Sequence, residues 1–263
     1  MSTTMKILRY ELSDLARSRW LAGYLLFFLA SAEGLYRTEG SALKVLLSLA
    51  DVVLLLIPLA SAVFGTIYLY SAREFVELLL SQPVARRQLF GGLYLGLALA
   101  LSAAFVAGIV GPFALHGMDA PGAWKTLAVL CLGGVLLTWI FVALAFLIAL
   151  RLDDRMKGLA TAILAWLALA VLYDGGLLLA VNALSDFPVE KPLLVATLAN
   201  PVDLARIVLL LRFDVAALMG YTGAVFQRFF GSAEGAIAGA GALALWMVVP
   251  VLGGVRTFQR KDF

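Results

Sequence analysis

Charge is scarce in this sequence. Asp, Glu, Lys and Arg together make up 14% of its 263 residues, against about 25% in an ordinary soluble domain. His116 and Cys131 each stand alone. A lone cysteine excludes an internal disulfide, and its place within an apolar run reads as a small core residue. One histidine leaves no material for a hydrolytic triad or for paired metal-binding histidines. His116 with Met118, in the sequence LHGM, is the one pair that hints at a soft metal. A closed site needs three or four ligands, so a surface-loop histidine is the simpler account. No GxxxxGK[ST] sequence is present to cradle phosphates, so any ATP hydrolysis must reside on another chain. The expectation is a non-catalytic chain that binds no cofactor and no metal of its own.

Long apolar runs fill the space that chemistry leaves. Hydrophobic residues are 63% of the chain and mean hydropathy is +0.98, the composition of an integral membrane protein. A hydrocarbon core of about 30 Å needs roughly 20 helical residues. Leu89 to Leu115, Thr126 to Leu150 and Gly235 to Val255 meet that length without a charged residue. Val52 to Tyr70 is entered through Asp51 and bent or packed at Pro58. Leu159 to Leu184 is broken by Asp174, and Trp20 to Tyr36 carries Glu33 near its outer end. The expected fold is all-α: one polytopic membrane domain over residues 1–263 with six transmembrane helices and no room for a separate soluble domain. The net charge of +3 and pI near 9.1 do not argue for nucleic acid, because the basic residues flank apolar runs instead of lining one face.

Residues 5 to 19 read MKILRYELSDLARSR. Met5, Leu8, Leu12 and Leu15 share one helical face, with Lys6, Arg9, Glu11, Asp14 and Arg17 elsewhere, which predicts a helix lying in the membrane interface. Ala30-Ser31-Ala32 after an apolar stretch resembles a signal-peptide cleavage site, but the long patterned region before it favours an uncleaved helix. Short cytoplasmic segments carry the excess of Lys and Arg. That excess lies in the amino-terminal segment (Lys6, Arg9, Arg17, Arg19), after the second span (Arg73, Arg86, Arg87), after the fourth (Arg151, Arg155, Lys157) and in the tail (Arg256, Arg260, Lys261). The alternate short loops hold Arg37, Lys44 and Lys125. Both termini are therefore expected in the cytoplasm, with residues 182–234 outside; no internal repeat is evident.

Between two apolar runs lies EFVELLLSQPVARRQLFGG, Glu74 to Gly92. On a helix, Phe75, Leu78 and Leu79 share one face and Glu74, Glu77 and Ser81 another, and Pro83 ends the element because the residue before proline is pushed out of helical geometry. Gln82 sits in that terminal turn, and Arg86 and Arg87 are placed to snorkel at the base of the next span. A short helix rigidly joined to two spans can transmit a push from a soluble partner. An ordinary interfacial loop helix would have the same pattern.

The stretch REFVELLLSQPVARRQLFGG resembles the cytoplasmic-loop motif of ABC-2 type transporter permeases. RYELSDLARSRW resembles that family's elbow helix and first span, and RTFQRKDF its basic carboxyl end. The resemblance implies an elbow helix over 1–19 and a coupling helix over 73–83 that docks on an ATP-binding subunit through Glu74, Phe75, Glu77, Leu78, Leu79, Ser81, Gln82 and Pro83. It also implies ATP and Mg on that partner, a permease homodimer, an ATPase dimer and a bacterial or archaeal cytoplasmic membrane. ELSDLARSRW, TWIFVALAFLIAL and LANPVDLARIVLLL are similar to NosY-type permeases. Those work with a cytoplasmic ATPase and a periplasmic β-helical repeat protein in maturing the copper sites of nitrous oxide reductase.

In the outer segment Asn200 is a natural helix cap, Pro201 suits the first helical position and Asp203 opposes the positive helix end. Arg206 and Arg212 bracket an apolar stripe of Ile207, Val208 and Leu211. A second helix is expected over Asp214 to Phe230, with Gly220 and Gly223 permitting close packing and Phe226, Phe229 and Phe230 offering aromatic surface. These helices either cap the bundle or, as the resemblance implies, form a docking platform for an extracytoplasmic partner through Asn200, Pro201, Asp203, Arg206, Phe226 and Phe229. Asp51 and Asp174 are intramembrane charges and so functional candidates. Two readings compete with ATP-driven work on a partner: export of a small or hydrophobic cargo, and an ATP-independent membrane scaffold.

Overall fold

The computed structural model describes residues 3–117, 122–183, 190–212 and 226–261. Met118 and most of the helix expected over 214–230, with Gly220 and Gly223, lie outside these residues. Among them every regular element is helical, as the apolar runs require: without water in hydrocarbon, the backbone satisfies its own hydrogen bonds within each helix.

The elements in order are α1 (Thr3–Ala16), α2 (Arg19–Glu39), α3 (Ala42–Ser71), α4 (Arg73–Leu80), α5 (Arg86–His116), α6 (Ala123–Arg151) and α7 (Arg155–Leu167). A π turn over Ala168–Leu172 continues α7 into α8 (Tyr173–Ala183), followed by α9 (Glu190–Leu198), α10 (Pro201–Arg212) and α11 (Ala233–Arg260). The apolar run that Asp174 breaks in sequence is helical through that residue, and its departure from α geometry is this π turn, which ends two residues before Asp174. Among the described residues α3, α5, α6, the α7–α8 unit and α11 are each long and apolar enough to cross a membrane.

Two expectations shift here. α2 forms as a 21-residue helix, about 32 Å long, yet is not among the helices apolar enough to span. Glu33, Arg37 and Glu39 crowd its carboxyl-terminal half. The α9–α10 pair, expected as outer segment, is bent by 109° and as a unit passes the same test, as a broken span or a re-entrant loop. It packs on α3, α6, α11 and the π turn instead of standing clear of the bundle.

α5 is the axis of the bundle. Its most apolar stretch is 67% buried, against 11% for α7–α8 and 17% for α11, so the latter two present their apolar faces outward. α3 meets α6 closely at Gly65, where an added Cβ would stand 2.7 Å from Ala145 Cβ. Near the amino-terminal end of α5, Phe90, Tyr94, Phe146 and Phe258 form an aromatic cluster with centroid separations of 5.7 to 6.2 Å. Tyr94 donates to the Trp139 carbonyl at 3.1 Å and the Trp139 indole to Ser102 Oγ at 3.1 Å, satisfying the polar tips of rings that carry the α5–α6 packing.

Candidate functional site

α4 sits at one end of the bundle, joined to α3 through the single residue Ala72. Its buried anchor is Val76, with Phe75, Leu79 and Leu80 half-buried against the core. Glu74, Glu77, Ser81, Gln82 and Pro83 are exposed. Leu78, expected on the apolar face, is 61% exposed and joins them. The ring of Phe75 fixes this rotation by stacking on Tyr10 of α1, with centroids 5.9 Å apart and planes 15° from parallel. The outward face is thus acidic at its start, apolar at Leu78 and capped by a polar turn.

The base of α4 is tied to the link between α6 and α7, and that link in turn to the carboxyl end of the chain. Tyr70, ending α3, donates to the carbonyls of Leu152 at 2.7 Å and Asp154 at 3.2 Å, in the link between α6 and α7. Arg73 lies 4.6 Å above the Tyr70 ring and donates to Leu152 O at 3.4 Å. Lys261 bonds Asp153 at 2.8 Å and the Leu150 carbonyl at 2.8 Å. The Lys261 ammonium holds the Asp153 carboxyl below the usual range. Arg86, expected to snorkel, donates instead to the carbonyls of Gln259 at 3.1 Å and Lys261 at 2.6 Å. Basic residues from separate stretches of sequence therefore meet at one end of the molecule. Asp154 caps α7 through Met156 N at 2.8 Å and Lys157 N at 3.2 Å. Gly158 then allows α7 to pass the Tyr70 hydroxyl, which an added Cβ would approach to 2.1 Å.

α1 docks on α5 beside this assembly. Its buried stripe is Ile7, Glu11 and Leu15, and Met5, expected on the apolar face, is 49% exposed. The small residues of α5 explain the rotation. An added Cβ at Gly92 would stand 2.6 Å from Ile7 Cγ2, and one at Gly96 2.8 Å from Glu11 Cβ, so α1 sits where α5 has no side chains. Glu11 accepts the Tyr68 hydroxyl hydrogen bond. Sequence reasoning placed Glu11 on the polar face and missed this role; its i, i+4 spacing from Ile7 and Leu15 was the available signal.

Around the π turn, midway along the α7–α8 unit, the residues expected in the outer segment form a polar knot. Asn200 is fully buried and caps α10 by accepting Val202 N at 3.0 Å, as its position before Pro201 suggested. Its amide also donates to Leu169 O in the π turn at 2.7 Å and to Asp203 at 3.1 Å. Arg206 bridges Asp203, at 3.2 Å, and Asp174. Tyr173 donates to Ala196 O at 2.7 Å. Pro201, Asp203 and Phe226 are buried and Phe229 half-buried. These residues were expected as partner-contact surface; Asn200 and Asp203 are engaged inside the chain, and Pro201 and Phe226 are covered by it. Asp174 has its partner in Arg206, whereas Asp51 is exposed on α3. His116 belongs to the last turn of α5, stacked on Tyr36 with Nε2 3.6 Å from Glu33.

No protein-family model matches the chain. It is similar to the "Probable ABC transporter permease protein NosY" of Stutzerimonas stutzeri, 26% identical over 231 residues that cover 81% of this chain and 83% of that one. It is likewise similar to the protein of the same name from Pseudomonas aeruginosa, 29% identical over 238 residues, 84% and 86% of the two chains. The resemblance to ABC transporter permeases carried by short motifs therefore extends over four-fifths of the length.

Proposed function

We propose that this chain is the permease subunit of an ABC transporter and that α4 is the point where a separate ATP-hydrolysing subunit pushes on it. The observation that carries the reading is the pairing of an exposed face on α4 (Glu74, Glu77, Leu78, Ser81, Gln82 and Pro83) with a rigid base. A load on that face passes through Val76 and the short Ala72 joint into α3, through Phe75 and Tyr10 into α1, and through Tyr70 and Arg73 into the α6–α7 link. ATP shifts such a bundle only by the difference in its subunit's affinity for the two conformations. A dimer of the ATPase working on a dimer of this chain, in a cytoplasmic membrane with both termini inside, fits that arrangement.

The test is recovery of the ATPase subunit with this chain from native membranes. Replacing both Glu74 and Glu77 by Lys reverses the acidic lead of the exposed face, and recovery is expected to fall at least tenfold while the chain keeps its melting temperature in detergent. Undiminished recovery, or a native complex without an ATP-binding subunit, overturns the reading in favour of a scaffold or another docking face.

The likeness to proteins named NosY extends the proposal to mechanical work on an extracytoplasmic partner during copper-site maturation of nitrous oxide reductase. Genes for an ATPase and a β-helical repeat protein beside this one, together with loss of reductase copper on deletion, are the expected outcome. Normal copper loading without this chain leaves export of a small or hydrophobic cargo as the function.

A further inference from the structure

Between α1, the inner end of α3 and α4 the chain encloses an open cleft of 530 Å³. Rings supply much of its wall: Tyr10 of α1, Trp20 of α2, Phe64 and Tyr68 of α3, and Phe75 of α4. Two carboxylates, Glu11 and Asp14, also face it, and no Lys or Arg is among the residues that line it. Neither carboxylate has an ion-pair partner within 4.0 Å among the described residues. Glu11 is only 4% exposed, and its contact there is the neutral Tyr68 hydroxyl.

Acidic groups among aromatic faces are the chemistry that holds an ammonium group, by charge and by attraction of a cation to the ring faces. Depth says what the rest of the ligand is. Phe64 and Ile67, also in the wall, lie seven and four residues before the end of α3 at Ser71, about 6 to 10 Å higher at the helical rise. The cleft therefore extends from the end of α3 for about two turns along that apolar helix, a length that an acyl chain can follow. Arg17 and Arg19, exposed on either side of the lining residue Ser18, sit at its rim, where a phosphate would complete the charge pattern.

We infer that this cleft binds a phospholipid with an amine headgroup, its ammonium between Glu11 and Asp14 and its acyl chain along Phe64 and Ile67. The occupant bridges α1, α3 and α4. The inference concerns this chain and the bilayer alone and does not depend on the ATPase reading.

Native mass spectrometry of the full chain released from detergent tests it. The probes are phosphatidylethanolamine, the same lipid with its amine acetylated, and phosphatidylglycerol. The unmodified amine lipid is expected to be retained at least fivefold over both others. Asp14→Asn, at an exposed position, and Tyr10→Ala should each bring that ratio close to one. As a second readout, phosphatidylethanolamine with brominated acyl chains should quench the fluorescence that Trp20→Phe removes, more than brominated phosphatidylglycerol does. Equal retention of the amine lipid and its acetylated form, or a preference that survives Asp14→Asn, overturns the inference and leaves the adduct as bulk bilayer lipid. Displacement of the lipid by a single-chain alkylamine would instead assign the site to soluble amine amphiphiles and overturn the phospholipid identification.

Discussion

At Gly158 one hydrogen atom in place of a methyl lets two helices pass. The Tyr70 hydroxyl stands where a Cβ would go and is held there by the Leu152 and Asp154 carbonyls. Gly158→Ala forces either α7 or Tyr70 to move, and overpacking of this kind costs ~1–3 kcal/mol. The melting temperature in detergent should fall accordingly, and adding Tyr70→Phe should make the two changes less than additive. Glu11 carries a different liability. Burial raises its carboxyl above the ordinary range, against the Tyr68 hydrogen bond and with help from the Asp14 charge. Between the ordinary and the raised value the folded chain keeps a proton that the unfolded chain has released, so stability falls as pH rises through that window. Glu11→Gln should flatten the dependence of melting temperature on pH there. An unchanged slope would assign the dependence to other groups.

Among the elements, the α9–α10 hairpin depends on its polar knot. Arg206 serves two carboxylates, and the Asp203 side chain is 7% exposed. Removing one partner from a buried pair costs about 3–5 kcal/mol, and because Arg206 and Asp174 are 32% and 30% exposed the lower end, ~3 kcal/mol, is expected for Arg206→Gln. Adding Asp203→Asn should restore part of that loss in a thermal unfolding experiment, since the more buried of the two stranded carboxylates is gone. This knot was half legible in sequence. Asn200, Pro201 and Asp203 announce a helix start by local chemistry, whereas the bond from Asn200 to Leu169 and the pairing of Arg206 with Asp174 join residues 31 and 32 positions apart. α4 shows the same division. Glu74 to Pro83 was recognisable as a short amphipathic helix with a terminator, but Leu78 faces out because the Tyr10–Phe75 stack, a contact between separate helices, sets the rotation.

For the whole molecule the prediction concerns sidedness. α1, α4, the α6–α7 link and Lys261 gather at one end through contacts that span the chain. In a Cys131→Ser background, single cysteines at Ser13 and Ser81 should be labelled from the cytoplasm only, and one at Ser41, at the start of α3, from the opposite side only. Labelling of Ser13 and Ser41 from the same side would remove α2 as a span and transfer that role to the bent α9–α10 pair.

The apolar runs by themselves determined that this is a bundle of membrane helices, because a chain with so few charges and runs of this length has one way to satisfy its backbone in hydrocarbon. Local chemistry also fixed where Asn200 starts a helix and where Pro83 follows one. Tertiary structure alone decided which face of each helix turns inward. α5 presents Gly92 and Gly96 to α1, and that absence of side chains draws Glu11 into the interior, where hydropathy would never place it. The reason is that period and composition are properties of one helix, while rotation and ion pairing are settled by the shape of its neighbour.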